Sequence, residues 1–193
     1  MDFQLSEEQV LLRDTTRDLL ARAYDTERRL EIIDSDPGFS RDVWKQLAEI
    51  GILGLGFEEE AGGQNEIQVV LTEVGRRLAP EPVLHGALGP GALIAELGSA
   101  EQRALLDFAH QEPGMRGAHA PVTTKAARNG DSWTMTGCKN PVLAGDIADT
   151  LVVTAALPDG GTGAFLVDAG AVNRQSFRTF DGQRAAQIDL DAG

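Results

Sequence analysis

Two glycine runs in this sequence could cradle a phosphate. Gly51-Ile52-Leu53-Gly54-Leu55-Gly56 superficially suggests a dinucleotide loop. Its spacing is wrong for G-x-G-x-x-G, and no strand–turn–helix pattern surrounds it. Gly160-Gly161-Thr162-Gly163 lacks the lysine of a P-loop and reads as a turn. The three histidines, His85, His110 and His119, do not pair with one another or with cysteine at metal-ligand spacing, so no metal is expected. No G-x-S-x-G nucleophile elbow is present. Cys138 precedes Lys139, whose charge could lower the thiol pKa; packing within a strand is the plainer role. Glu58-Glu59-Glu60 could supply paired carboxylates, but a solvated acidic turn accounts for them more simply.

The elements that would position these residues change character near residue 110. Before it the apolar period is helical; after it the period is two. Ser6-Glu7-Glu8-Gln9 is a capping box, and Val10, Leu12, Thr16, Leu19 and Ala23 form the face that follows. That helix is expected to run through the charged stretch Asp25 to Glu31 and to break at Pro37-Gly38. A second helix is predicted from about Arg41 to Ile50, capped by Ser40, with Val43, Leu47 and Ile50 buried. A third covers about Glu66 to Ala79, with Ile67, Val70, Leu71, Val74 and Leu78 on one stripe. A fourth covers about Val83 to Leu97, and Ser99-Ala100-Glu101-Gln102 opens a short helix to about Phe108.

In the second region Asn129-Gly130-Asp131 predicts a hairpin between Thr123 to Arg128 and Ser132 to Gly137. Strands follow at Thr150 to Ala156, Ala164 to Val167, Gln175 to Phe180 and Ala186 to Leu190, with a turn at Pro158-Asp159-Gly160-Gly161. Short strands with regular turns predict an antiparallel barrel or sandwich. The chain closes in mid-pattern at Asp189 to Gly193, so the last strand is expected to present an unpaired edge unless something follows it.

Of the 193 residues, 42% are hydrophobic and 24% charged, an ordinary globular composition. A net charge of −13 argues against nucleic acid and anionic membranes as partners. One cysteine, no long apolar run and no signal-like start together predict a cytoplasmic protein.

Composition and spacing stop there. The ordered segments, however, resemble the acyl-CoA dehydrogenase family. The resemblance lies in Leu5-Ser6-Glu7-Glu8-Gln9, in Trp44 to Leu55 followed by Glu58 to Gly63, in the Gln111-Glu112-Pro113 turn, and in Gly137-Cys138-Lys139 with Ala148-Asp149 and Leu151-Val152-Val153. Glu112 to Arg116, Val142 to Gly145 and Asp181 to Ala186 are similar to the small subunit of pimeloyl-CoA dehydrogenase and its relatives.

The resemblance implies an α+β, multi-domain chain. Residues 1–109 would form an up-and-down helical domain, and residues 110–193 an incomplete antiparallel β-barrel. The family's C-terminal four-helix bundle would be absent. It implies bound FAD, an acyl-CoA substrate, an electron-transfer flavoprotein or similar acceptor, and a homo- or hetero-oligomer. Carried over residue by residue, Phe108, His110 and Gln111 match the strand along the flavin pyrimidine edge. Pro141, Val142 and Leu143 match the segment behind the flavin, and Gly117 falls near the substrate or CoA. Gln111 replaces the family's threonine, Arg116-Gly117-Ala118 its Gly-Ser-Asp, and Pro141-Val142-Leu143 its Trp-Ile-Ser/Thr, which removes a hydroxyl near flavin N5. No residue matches the family's catalytic glutamate, so these residues are expected to be inactive alone. A non-catalytic partner subunit, or an interaction module, is the alternative.

Overall fold

A computed structural model describes residues 4–56, 62–92, 106–117 and 119–191. The chain divides into two compact units, Met1–Ala100 and Glu101–Gly193.

The first unit is helical. Helix α1 spans Glu7–Ala23, and the expected capping box holds it: Gln9 N donates to Ser6 Oγ at 3.2 Å while Ser6 N donates to Gln9 Oε1 at 3.0 Å. The helix stops earlier than the sequence suggests. Asp25 accepts from Arg28 N and caps a separate helix, α2, Thr26–Asp34. Buried Tyr24 occupies the break, so the charged run belongs to a second helix and not to an extension of the first. Helix α3 (Arg41–Glu49) carries Ser40 as its N-cap and Gly51, at φ +82°, just past its end. Helix α4 (Gln64–Arg77) runs parallel to α1, tied by Gln9 to Glu66 and Arg17 to Glu73. Leu19, Leu20, Tyr24, Val43, Leu47, Ile52, Val70, Val83 and Leu88 form one core. Each fully buried aliphatic side chain there contributes about 1.5–3 kcal/mol.

Two residues expected inside are outside. Ile50 and Leu78 are the C-caps of α3 and α4, where the helical face has already turned away from the core. Glu73, a charge, takes a buried place on α4. A π-helical turn, Leu84–Leu88, follows. Most of the predicted Ser99–Phe108 helix lies outside the described residues, but its end is extended: Leu106–Ala109 is strand β1. Its backbone pairs residue for residue with Thr150 to Val153, a non-local partner that local pattern cannot show.

The second unit is a seven-stranded mixed sheet in the order β1-β4-β2-β3-β7-β6, with β5 on β4. The remaining strands are β2 (Lys125–Asn129), β3 (Ser132–Leu143), β4 (Thr150–Ala156), β5 (Thr162–Asp168), β6 (Asn173–Arg178) and β7 (Arg184–Leu190). The predicted hairpin is present, with Asn129 opposite Ser132 and Gly130 at φ +62°. Most pairings are antiparallel, but β4 accepts β1 and one residue of β2 in parallel. The described strands form no closed barrel. β7 lies between β3 and β6, so the expected unpaired terminal edge is not there. Its core is built from small and branched residues: Ala109, Val142, Ala148, Leu151, Val153, Ala186, Ile188 and Leu190.

Candidate functional site

Strand β3 is longer than the hairpin signal predicts. It continues past Gly137 to Leu143 and pairs there with β7. Its register shifts between Lys139 and Val142, across the Asn140-Pro141 bond, which is cis. Proline cannot donate to a ladder, which is why this stretch reads poorly as strand. At the bulge, Asn140 N donates to Gln111 O at 2.9 Å. The bond brings together two of the three segments singled out from the sequence. Phe108, in β1, pairs with Val152 of β4, and His110 and Gln111 follow just after the strand. His110 Nδ1 lies 2.9 Å from Thr154 Oγ1, and Gln111 Nε2 donates to Met115 O at 3.1 Å. Across the bulge, Pro141 is exposed, Val142 is fully buried and Leu143 is half-buried. Gly117 belongs to the exposed stretch beyond, where its carbonyl accepts from Ala120 N.

Beneath this junction lies a charged pair that the sequence reading missed. Lys139 and Glu112 are buried, and Lys139 Nζ donates to Glu112 Oε1 at 2.7 Å. The ammonium also reaches His110 O and Thr154 Oγ1, each at 3.3 Å. The carboxylate accepts from Thr123 N, Thr123 Oγ1 and Thr124 N at 2.7, 2.5 and 2.9 Å. Burial alone would raise the Glu112 carboxyl. The donors from Lys139, Thr123 and Thr124 outweigh it and hold the group well below the usual carboxylate range. Gly137 makes room for this arrangement, since a Cβ there would stand 2.6 Å from Thr124 Oγ1. A visible signal did exist: one lysine and one glutamate, each inside a motif that carried the family resemblance.

Lys139 does not activate its neighbour. Successive strand residues point to opposite faces, and the Cys138 thiol is pushed up to about 11 by burial and by Asp189 opposite it. Past the bulge, Asp146 pairs with Arg184 at 2.5 Å, and Arg174 donates to the carbonyls of Asp146 and Ala148. These bonds fasten the loop that leaves β3. Among the described residues no group of three or more His, Cys, Asp or Glu could hold a metal, and no helix is long and apolar enough to cross a membrane. The 51–56 glycine run is a 3₁₀ turn after α3, and Gly160 and Gly161 make the turn before β5. Residues 58–60 lie outside the described residues.

The junction offers an exposed proline ring and a half-buried leucine on the β3 segment whose Asn140 N meets the Gln111 carbonyl. An apolar wall next to backbone polar groups suits a flat, fused-ring group with a hydrogen-bonding rim, so the residues present fit a flavin.

The family model for the acyl-CoA dehydrogenase N-terminal domain matches residues 6–106. The cyclohex-1-ene-1-carbonyl-CoA dehydrogenase of Geobacter metallireducens is 31% identical over 186 residues, covering 86% of this chain and 49% of its own. A variant of the Tcur3481-Tcur3483 steroid ACAD superimposes with a TM-score of 0.85 at 31% identity, covering 96% of this chain and 55% of that one. The ChsE4-ChsE5 complex from Mycobacterium tuberculosis gives 0.87 at 25% identity, with 100% and 56% covered. The chain spans about half the length of the curated relatives it matches. With the helical unit, the bulged β sheet and these likenesses in agreement, the chain belongs to the acyl-CoA dehydrogenase family, whose members are FAD-using oxidoreductases.

Proposed function

We propose that this chain supplies the flavin-facing β unit of an FAD-dependent acyl-CoA dehydrogenase that works as a two-component assembly. The observation that carries it is the Asn140 N to Gln111 O bond, which joins the two expected flavin-facing segments into one surface. Phe108, His110 and Gln111 would line the pyrimidine edge; Pro141, Val142 and Leu143 would stand behind the ring. The Val142 side chain is wholly in the sheet core, so it contributes backbone and support, while Pro141 and Leu143 supply the contact. Gly117 would leave space for the thioester arm: among the described residues beyond its chain neighbours, nothing lies within 4 Å of where its Cβ would be. Held there by these segments, FAD would supply an acceptor for the hydride that leaves the substrate's β-carbon.

Removal of the α-proton is assigned to a group other than the carboxylates described near this surface. Glu112 is saturated with donors and held ionised by Lys139, which makes it a poor proton acceptor. Asp146 is committed to Arg184. A two-component assembly, in which the base comes from elsewhere in the enzyme, is supported by the likeness to the ChsE4-ChsE5 complex. The loss of the family hydroxyl at Leu143 favours a second reading within the same assembly, a subunit that holds flavin or partner without itself catalysing.

The intact protein, expressed alone and with a companion dehydrogenase chain, is expected to carry a yellow flavin spectrum in at least one of the two preparations. Acyl-CoA should bleach it anaerobically. If bleaching needs the companion, the two-component assignment stands. A protein that is colourless in both preparations and cannot be reconstituted with FAD overturns the proposal.

A further inference from the structure

We infer that the buried Lys139–Glu112 pair is a positioning device that sets the 110–112 segment against the β3 bulge. This inference rests on the flavin-facing assignment for its consequence, though not for its geometry. Lys139 is the last residue in register before the bulge, opposite Ile188, and register resumes only at Val142 opposite Ala186. Its three ammonium hydrogens are matched by three acceptors from two separate places: Glu112 Oε1 and His110 O after β1, and Thr154 Oγ1 on β4. Thr154 in turn contacts the His110 ring. Glu112 reaches the other way, to Thr123 and Thr124 just before β2. The next backbone group along β3, Asn140 N, binds Gln111 O. One lysine and one glutamate therefore fix the residue before the bulge, the segment facing it and the two strands behind.

An apolar pair of similar size would fill the same volume at little or no cost in stability, because desolvation offsets most of the attraction in a buried ion pair. What apolar groups cannot do is fix direction. Three donors and a saturated carboxylate admit one placement of the 110–112 peptide planes relative to residues 140–143. Those planes form the surface proposed to meet the flavin, so a shift of half an ångström there would loosen the cofactor without unfolding the sheet.

The test uses the intact flavoprotein carrying Lys139→Met with Glu112→Gln, so that neither charge is left buried alone. The double variant should fold cooperatively. The amides of Asn140, Val142 and Leu143 should lose at least tenfold of their hydrogen-exchange protection while those of Leu151 to Val153 stay unchanged. FAD affinity should fall at least tenfold at a temperature where the protein is folded, and Lys139→Arg should recover part of both. Where the double variant does not fold, Glu112→Asp, which keeps the charge but is one methylene too short to serve both Lys139 and Thr124, is read for the same exchange pattern. A folded variant with wild-type exchange at 140–143 and wild-type FAD affinity overturns the inference. If the wild type itself binds no flavin, the functional proposal fails, and the exchange pattern alone decides the positioning role.

Discussion

The Tyr24 hydroxyl donates to Glu81 Oε1 across 57 residues of sequence, and both side chains are buried. The same carboxylate oxygen accepts from Ser40 N at 3.2 Å. The end of α1, the N-cap of α3 and the segment after α4 therefore meet at one carboxyl group, while its second oxygen, Oε2, has no hydrogen-bond partner among the described residues. Tyr24→Phe removes one donor and leaves the acceptor in place. Oε1 keeps Ser40 N, so the cost is that of one lost hydrogen bond to a buried carboxyl, about 1–3 kcal/mol. Chemical denaturation followed through Trp44, with Trp133 replaced by Phe, should show a loss in that range. A loss below about 0.5 kcal/mol would mean that water already serves this carboxyl.

Glu81 and Glu112 should give opposite pH signatures. Burial pushes the Glu81 carboxyl up, so its contribution is fully present below the unfolded value near 4.5 and is lost as pH rises through the folded value. Relative to wild type, Glu81→Gln should gain stability as pH increases from about 4.5. The Glu112 carboxyl is held down, so its contribution is present above 4.5 and is lost as pH falls. The advantage of wild type over Glu112→Gln should therefore shrink on acidification, read through Trp133 with Trp44 replaced. Parallel trends for the two variants would contradict the placement of one of them.

Several features were open to a reading of residues alone, and the reasons are local. Ser6 with Gln9 is a cap complete within four residues, and Asn129-Gly130 closes a hairpin from inside its own turn. What could not be read depends on distant partners. Asp25 looks like one more charge on a solvated helix until Tyr24 is seen buried beside Glu81. Strand β1 is defined by β4, more than forty residues away. Lys139 and Glu112, as charges, are assigned to the surface by every composition rule; only their mutual distance of 2.7 Å and the threonine amides explain their burial. The residues proposed to face a flavin came from family likeness, and the structure adds the Asn140 N to Gln111 O bond between their two segments.

Cys138 should be a slow thiol. A thiol pushed up to about 11 leaves about 0.1% thiolate at pH 8, against about a quarter for a free cysteine; the more basic thiolate's greater nucleophilicity offsets part of that, so the folded protein should react with a disulfide reagent about tenfold or more slower than the unfolded chain. Asp189→Asn removes the charge opposite it in the β3–β7 ladder and should speed the reaction. Equal rates for the folded and unfolded protein would show that burial does not protect this position.

Leu143 stands where the family resemblance implies a hydroxyl near flavin N5, and it is half-buried, paired with Ala185 on β7. Leu143→Ser restores a donor without disturbing the sheet core, because the side chain in that core is Val142. A single well-placed donor at a site of developing charge is worth about a hundredfold or more in rate, and a grafted one about tenfold. In the intact flavoprotein, Leu143→Ser should shift the visible flavin band and quicken acyl-CoA-dependent bleaching by about that smaller factor. Leu143→Ala, which opens the same space without a hydroxyl, should do neither. The comparison of serine with alanine separates a hydrogen bond from a cavity. If the two variants behave alike, Leu143 does not face the reacting edge of the flavin, and the assignment of the 141–143 segment falls with it.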